Sequence, residues 1–280
     1  MRKTMMSFEV FPPKRNDAVD TIYQTLDALK DLSPDFISVT YGAGGSDNCK
    51  ATFEIAENIK QRYGIESVAH LPCIGLDRKD VNSLLERLRT ANISNILALR
   101  GDLPAETVKA GDFAHASDLI AYIKEWGDFH ILAACYPEGH LESHSLVEDI
   151  QNLKKKVDAG AGQLVSQLFF DNECFYRFQE RCELAGIHVP IEAGIMPVTG
   201  KKQIERMVSL CGASLPPKFR AILDRYGDSP EALRDAGIAY AIDQIVDLIC
   251  HGVDGIHLYT MNQPDTARRI YDAVYRLLEV

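Results

Sequence analysis

The sequence predicts an α/β protein of the (β/α)8 (TIM) barrel class. Short apolar runs alternate with longer amphipathic ones along the whole chain, and this pairing occurs eight times. Eight units in 280 residues average 35 residues each, which suits a barrel of this type, typically about 250 residues long. Strict alternation favours a parallel sheet, and continuous apolar runs are typical of strands buried on both faces.

Each candidate strand is short and apolar and is followed by turn residues or by a change to polar residues. The predicted strands are Met5–Phe11, Phe36–Tyr41, Ser67–Ile74, Ile96–Arg100, Phe129–Tyr136, Leu164–Phe170, Val189–Met196 and Gly255–Thr260.

Amphipathic segments between the strands predict helices. One helix face is formed by apolar residues that recur at spacings of four, three and four from Leu146 to Val157. Further helical patterns lie around Ile238–Ile249 and Thr266–Leu278. The segment Ala213–Tyr226 is longer than a minimal unit needs, and we expect it to be an excursion near the seventh strand. No linker interrupts the chain, so residues 1–280 are expected to form a single domain.

An open, doubly wound sheet is the alternative architecture. Such a sheet would usually carry a glycine-rich phosphate turn after its first strand. Here the first strand runs into Phe11-Pro12-Pro13, with no GxGxxG pattern behind it. The closed barrel is therefore favoured.

Composition excludes several classes of protein. The chain has 30 basic and 40 acidic residues and a formal net charge of −10, so no basic footprint for nucleic acid or an anionic membrane is present. No apolar run approaches the roughly 18 residues that span a bilayer, and the short apolar run after Met1 ends too early for a secretory signal. We expect a cytoplasmic protein.

The seven cysteines form no CxxC pair, which indicates neither a disulfide framework nor a zinc site. Cys73 and Cys135 lie in apolar runs and are predicted to be buried free thiols. The chain also lacks HxH and HExxH motifs, and no predicted strand carries a lysine at its core. A catalytic metal and a lysine Schiff base are therefore not expected.

Polar residues gather at the carboxyl ends of the predicted strands, where barrel enzymes carry their chemistry. Singly, each has a structural explanation: Glu9 would suit a buried ion pair, and His70 a hydrogen-bonded core histidine. Together they predict one functional face, because a structural barrel has no reason to collect them there. The residues are Glu9, Thr40, His70, Arg100, Gly101, Asp102, Tyr136, His140, Gln167 and Tyr259.

The helix that starts near Ser145 carries a second candidate set. Asp149, Asn152 and Lys156 share one flank at spacings of three and four, next to Lys155. A solvated helix face is one interpretation. A ribose and phosphate contact set is the other, with the carboxylate and amide binding hydroxyls and Lys156 a phosphate.

Taken together, these motifs resemble the methylenetetrahydrofolate reductase family of flavin-dependent barrels. The resemblance runs in order across essentially the whole chain and matches the family's catalytic domain alone, with no counterpart of the regulatory domain of eukaryotic members. The matching stretches are Ser7–Pro13, Val39–Ala43, His70–Cys73, Ala98–Pro104, Tyr136–His140, Asn152–Ala161, Gln167–Asp171 and Tyr259–Asn262.

The resemblance implies a reaction in two halves on one FAD. NADH or NADPH reduces the flavin and leaves, and 5,10-methylenetetrahydrofolate then accepts a hydride and departs as 5-methyltetrahydrofolate. Opening the substrate's five-membered ring requires a proton, and Glu9 matches the family's general acid. Asp102 would lie beside the flavin pyrimidine and the pterin, Gln167 would contact pterin or nicotinamide, and Tyr259 would line the substrate side.

The resemblance also implies the residues around FAD. They are Thr40, His70, Arg100, Gly101, Asp102, Ala116, Tyr136, His140, Asp149, Asn152, Lys155 and Lys156. We expect the protein to form a homo-oligomer. Its expected role is to supply methyl groups for methionine synthesis.

Two positions depart from the family pattern. Gln263 stands where some relatives carry an arginine suited to the folate glutamate tail, and Met207 lies near where some carry an aromatic ring. Two other functions stay open on the sequence alone. One is a flavin-free barrel transferase acting on folate, and the other is a non-enzymatic subunit that kept the fold.

Overall fold

A computed structural model shows a closed barrel of eight parallel strands surrounded by helices. The structure describes residues 3–13, 19–41, 46–101 and 111–280. The strands follow one another around the barrel in chain order, and the first pairs with the last through the register Ser7–His257 and Glu9–Tyr259. The predicted (β/α)8 class is therefore confirmed.

All eight predicted strands are present, most of them shorter than predicted. They are β1 (Met5–Val10), β2 (Phe36–Val39), β3 (Ser67–Pro72), β4 (Asn95–Leu99), β5 (His130–Cys135), β6 (Gln163–Ser166), β7 (Ile191–Ile195) and β8 (Gly255–Tyr259).

The prediction for β6 was too long, because the apolar run continues past the end of the strand. The hydroxyl of Ser166 donates to the carbonyl of Gln167, and the side-chain oxygen of Gln167 accepts from the amide of Leu168 at 2.9 Å. The Phe170 carbonyl accepts from the hydroxyl of Tyr240 at 2.6 Å. Because these backbone groups bond to side chains, the strand ends at Ser166, although Leu168–Phe170 stay buried.

Ten α-helices lie in the described part of the chain. They are α1 (Val19–Leu29), α2 (Ser46–Tyr63), α3 (Arg78–Thr90), α4 (Ala116–Trp126), α5 (Leu146–Asp158), α6 (Asn172–Leu184), α7 (Lys201–Cys211), α8 (Pro217–Tyr226), α9 (Pro230–Cys250) and α10 (Pro264–Leu278). None of them is long and apolar enough to cross a membrane.

Two helices differ from a simple strand–helix alternation. The predicted excursion between β7 and β8 contains α8, an additional helix. Helix α9 starts at Pro230, eight residues before the pattern that predicted it. Of those first eight residues only Leu233 and Gly237 are buried, so the apolar pattern there is sparse. Gly237 of α9 packs so closely that an added Cβ would lie 1.8 Å from the carbonyl oxygen of Val198.

The core has two parts, because successive side chains of a strand point to opposite faces. Outward-facing residues such as Phe8, Ile96 and Leu258 pack beneath the helices. Inside the barrel, an apolar layer is followed, two residues later along several strands, by polar side chains. That layer consists of Phe36, Val68, Leu97, Leu132 and Val165. Beside this layer the interior changes from apolar to polar toward the carboxyl ends of the strands. On the side of β7, β8 and β1 it is already polar at the level of the layer, with Ser7, Glu192 and His257.

Candidate active site

A large cleft opens at the carboxyl ends of the strands. Its volume is about 1330 Å³, above the roughly 300–1,000 Å³ usual for small-molecule sites. The cleft is therefore larger than one small molecule needs.

Every predicted site residue that the structure describes lines this cleft, and Asp102 lies outside the described residues. The lining residues predicted from the sequence are Glu9, Thr40, His70, Arg100, Gly101, Ala116, Tyr136, His140, Asp149, Asn152, Lys155, Lys156, Gln167 and Tyr259. Residues separated by as much as 250 positions thus meet at one face, as the barrel requires.

Glu9 lies at the floor of the cleft between two histidines. Its Oε2 is 3.7 Å from Nε2 of His70 and 3.7 Å from Nε2 of His257, while only 18 % of its side chain is exposed. Strand pairing sets this arrangement, since Glu9 is level with Ser38 of β2 and Tyr259 of β8. Both distances are too long for direct hydrogen bonds, so Glu9 has space to meet a ligand.

His70 is neutral at ordinary pH. Burial lowers the pKa of His70 to about 4, and the opposing effect of the nearby Glu9 carboxylate is smaller. Its Nε2 is buried and has no hydrogen-bond partner among the residues that the structure describes. Because buried polar atoms are nearly always paired, this nitrogen indicates a place for a ligand or a water beside Glu9.

Arg100 and Glu142 bridge the cleft wall. The two guanidinium nitrogens of Arg100 bind the two carboxylate oxygens of Glu142 at 2.5 and 2.7 Å. Hydrogen bonds from Arg100 hold the pKa of Glu142 below its usual range. Our sequence analysis missed Glu142; the available signal was a carboxylate two residues beyond His140, in the same strand-to-helix loop.

The β5–α5 loop is tied to α5 by a buried carboxylate. Oδ1 of Asp149 accepts from the backbone amide of His140 at 3.1 Å and from the hydroxyl of Ser143 at 2.9 Å. The side chain of Ser145 caps the helix by accepting from the amide of Glu148. Asp149 therefore shapes this wall of the cleft through hydrogen bonds within the protein.

The lysines of α5 differ in their surroundings. Nζ of Lys156 donates to the carbonyl of Ala134 at 2.8 Å and lies 5.7 Å from the ring centre of Tyr136, and burial lowers the Lys156 pKa. The neighbouring Lys155 is exposed and bonds to Asn152 Oδ1 at 2.9 Å. Asp149, Asn152 and Lys156, which the sequence placed on one flank of the helix, all line the cleft, and Lys156 is anchored against β5.

The opposite wall combines an aromatic hydroxyl with sulfur-containing side chains. The hydroxyl of Tyr259 donates to the Ser166 carbonyl at 2.7 Å, and burial raises the Tyr259 pKa. Gly194 is the neighbour that makes this fit possible, since an added Cβ would lie 2.2 Å from the same carbonyl oxygen. We call this side the sulfur wall, after Met196, Met207, Cys211 and Met261.

Beneath Glu9 the barrel encloses polar residues that our sequence analysis did not select. Ser7, Gln163, Glu192 and His257 are buried and bonded to one another. The available signal was polar residues two apart within an apolar strand, as with Ser7 and Glu9, which face the same side. Among the described residues, no three His, Cys, Asp or Glu side chains form a potential metal site.

Fold and site together define a barrel protein with one deep ligand cleft that has a cationic wall, a sulfur-rich wall and a carboxyl group at its floor. The family model for methylenetetrahydrofolate reductase matches residues 1–275. The chain belongs to the methylenetetrahydrofolate reductase family.

Two relatives illustrate the similarity. The chain is 38% identical over 265 residues to 5,10-methylenetetrahydrofolate reductase of Escherichia coli, covering 95% of this chain and 88% of the relative. It is also 38% identical over 280 residues to methylenetetrahydrofolate reductase (NADH) 1 of Arabidopsis thaliana, covering 95% of this chain and 47% of the relative. The chain thus spans about half of that plant protein.

Solved structures share the fold at low sequence identity. A protein from Clostridium thermocellum that binds two copies of 5-methyl-5,6,7,8-tetrahydrofolic acid aligns with a TM-score of 0.66 and 12% identity, over 99% of this chain and 95% of its own. A dihydropteroate synthase from Coxiella burnetii aligns with a TM-score of 0.53 and 12% identity, over 99% of this chain and 94% of its own.

Proposed function

We propose that this protein reduces 5,10-methylenetetrahydrofolate to 5-methyltetrahydrofolate, with FAD as cofactor and NADH or NADPH as electron donor, in a ping-pong sequence. Membership of the family supports the folate chemistry. The observation that carries the proposal is the cleft itself. Residues that the family resemblance assigns to flavin and to folate form the continuous lining of one cavity, with Glu9 at its floor.

The residues of the cationic wall fit a flavin dinucleotide. Arg100, Lys155 and Lys156 offer positive charge for a diphosphate, and the first turn of α4 at Ala116 offers helix amide groups. Asn152 offers an amide to sugar hydroxyls, and the unpaired Nε2 of His70 offers a ring nitrogen. FAD held there would supply reversible hydride carriage between nicotinamide and folate.

Glu9 is proposed as the general acid. In this role the Glu9 carboxyl gives its proton to the substrate nitrogen that leaves the five-membered ring, and hydride adds to the methylene carbon. His70 is neutral because of its burial, so it brings no positive charge to hold Glu9 in the ionised form.

The sulfur wall and Gln167 are proposed to receive the folate. Gln167 and Tyr259 line the side of the cleft that faces Glu9, and the sulfur wall continues it outward. Met207 offers a flexible apolar surface to an aryl ring in place of aromatic stacking. Asp102 keeps its proposed place beside the flavin, and residues 1–280 are proposed to act as one catalytic barrel in a homo-oligomer in the cytoplasm.

The visible absorption spectrum of the purified protein tests the proposal. We expect a yellow flavoprotein that is bleached by anaerobic NADH or NADPH and recovers its colour when 5,10-methylenetetrahydrofolate is added. A flavin that neither nucleotide bleaches would contradict the proposed electron donor. A colourless protein that cannot be loaded with FAD would instead favour a flavin-free folate transferase.

A further inference from the structure

Beneath Glu9, a chain of buried side chains crosses the barrel interior. His257 Nδ1 is 2.7 Å from the hydroxyl oxygen of Ser7, and that hydroxyl donates to Glu192. Gln163 donates to the other oxygen of Glu192. At the far end, Nε2 of His130 lies 3.0 Å from the side-chain oxygen of Gln163. The chain therefore reaches from the amino end of β5, where His130 is exposed, to the floor of the cleft.

The hydrogens available to this series of hydrogen bonds determine which nitrogen of His257 carries a proton. A serine hydroxyl has one hydrogen, and when Glu192 is ionised Ser7 gives it to the Glu192 carboxylate. His257 Nδ1 must then donate to Ser7, because Ser7 has no second hydrogen to offer. In the tautomer that carries its hydrogen on Nδ1, the bare nitrogen is Nε2, which lies 3.7 Å from Oε2 of Glu9.

We propose that His257 is a positioning residue for Glu9, and that Ser7 and Glu192 hold its ring with Nδ1 protonated and the bare Nε2 turned toward Glu9. The inference rests on the proposed function, in which Glu9 must hold a proton until the substrate arrives. A bare nitrogen cannot donate to the Glu9 carboxylate, so it gives no support to the ionised form. A hydrogen on Nε2 would instead turn the positive end of the N–H bond toward the carboxylate and favour loss of the Glu9 proton through space.

Other groups around the chain are accounted for. His70 of β3 and Tyr259 of β8 also face Glu9, and Ser38 of β2 lies 3.4 Å from His257 Nε2. His70 is neutral and Tyr259 keeps its proton, so neither contributes charge. Burial raises the pKa of Glu192, and the Asp35 carboxylate adds to that effect. The nearby His257 opposes it most, followed by the hydrogen bonds that Glu192 accepts from Ser7 and Gln163.

Glu192→Gln provides a specific test because it reverses the direction of the hydrogen bonds that join residue 192, Ser7 and His257. Gln163 still donates to the oxygen of the new amide, so the amide nitrogen faces Ser7 and donates to it. The Ser7 hydrogen then turns to His257 Nδ1, and the proton of the ring moves to Nε2. In 15N-labelled protein, the ring nitrogens of His257, assigned by their loss in His257→Asn, should report Nδ1–H in the wild type and Nε2–H in Glu192→Gln.

Kinetics give a second readout. In the flavin-loaded Glu192→Gln protein, the pH midpoint of folate reduction should move about one unit toward lower pH, because Nε2–H now stabilises ionised Glu9. Ser7→Ala should slow folate reduction on the order of 10-fold, as loss of outer hydrogen-bond partners commonly does, while flavin reduction by NADH or NADPH stays within about twofold.

Ser67→Ala is the matched control. Ser67 is a serine in the same barrel, 1 % exposed against 0 % for Ser7, and its hydroxyl has no hydrogen-bond partner in the described part of the protein. Both half-reactions should stay within about twofold in Ser67→Ala. Equal slowing by Ser7→Ala and Ser67→Ala would show a packing effect and overturn the inference.

The tautomer measurement separates this inference from the proposed function. A wild-type His257 with its proton on Nε2, or a ring whose tautomer is the same in Glu192→Gln, would overturn the inference even if folate reduction is normal. Absence of folate reduction in the flavin-loaded wild-type protein would overturn the proposed function, and the acid role of Glu9 with it.

Discussion

Arg100 and Glu142 form a two-bond ion pair across the edge of the cleft, joining the end of β4 to the β5–α5 loop with N–O distances of 2.5 and 2.7 Å. Arginine binds a phosphate in the same forked geometry. The carboxylate of Glu142 therefore holds the face of Arg100 that a flavin diphosphate would use. In the proposed holoenzyme, Glu142 has to give way or share this face.

Glu142→Gln should therefore tighten FAD binding by about two- to fivefold, because a neutral amide competes less for Arg100. The stability of the apoprotein should change by less than about 1 kcal/mol, since exposed ion pairs contribute little. Glu86→Gln is the control: Glu86 is as exposed as Glu142, at 53% against 52%, and pairs with Arg89 on α3. Flavin fluorescence titration measures the affinity, and weaker binding in Glu142→Gln would contradict the competition.

Glu9→Gln should keep FAD and oxidise NADH or NADPH normally but lose folate reduction by about 100-fold or more, within the range for loss of a general acid. Stopped-flow absorbance of the flavin separates the two half-reactions. Glu148→Gln makes the same change on α5, in the wall of the cleft that carries Lys155 and Lys156, and should leave both half-reactions intact in flavin-saturated protein. Normal folate reduction in Glu9→Gln would remove Glu9 from the role of acid.

Lys156→Ala should weaken FAD retention by about 10-fold while leaving turnover at saturating FAD within a few-fold. Nζ of Lys156 is fixed against Ala134 and Tyr136, so its charge enters the cleft at little cost in side-chain entropy. Lys154→Ala is the control from the same helix, because Lys154 pairs with Asp158 and does not line the cleft. Equal FAD retention in the two variants would contradict the phosphate role.

The buried His70 should make the apoprotein less stable as pH falls from about 6.5 to 4. Above 6.5 the ring is neutral in both states; below that, the unfolded chain gains a proton that the folded protein, with a His70 pKa of about 4, does not. The loss approaches roughly 3 kcal/mol at pH 4. Urea unfolding at pH 7 and pH 4.5 measures it.

His70→Gln supplies the comparison for that measurement. The carboxylates titrate alike in the wild type and in His70→Gln. The difference between the two proteins in the pH dependence of the free energy of unfolding therefore measures the contribution of His70. His188→Gln, at an exposed position, should behave like the wild type. An identical pH dependence in the wild type and His70→Gln would show that His70 is protonated in the folded state as readily as in the unfolded chain.

Gly194→Ala should destabilise the protein by about 2–3 kcal/mol. The new Cβ would lie 2.2 Å from the Ser166 carbonyl oxygen and 2.8 Å from the Tyr259 ring, so backbone and ring must both shift. Gly127→Ala is the control, because its added Cβ would meet nothing within 4 Å and its backbone is extended. Thermal unfolding of the two variants gives the comparison; similar melting temperatures would contradict the clash.

The sequence was informative where a residue's position depends on local pattern alone. Glu9 and Tyr259 sit in short apolar runs whose carboxyl ends any parallel barrel brings to one face. The contact between Arg100 and Glu142 was not predictable, because it depends on the path of a loop. The pairing of Ser7 with His257 requires that β8 close on β1 in a particular register, and a single-strand pattern carries no information on that register. The end of β6 was predicted too late because the apolar residues continue to Phe170, whereas the strand ends at Ser166.

The sulfur wall makes one side of the cleft sensitive to oxidation. Met207 and Met261 are partly exposed in the cleft, and oxidation turns a thioether into a polar sulfoxide. Damage of this kind would reach the surface proposed for folate while sparing the cationic wall opposite. An oxidised sample would then keep its cofactor and its colour but turn over folate poorly, and methionine sulfoxide reductase would restore it.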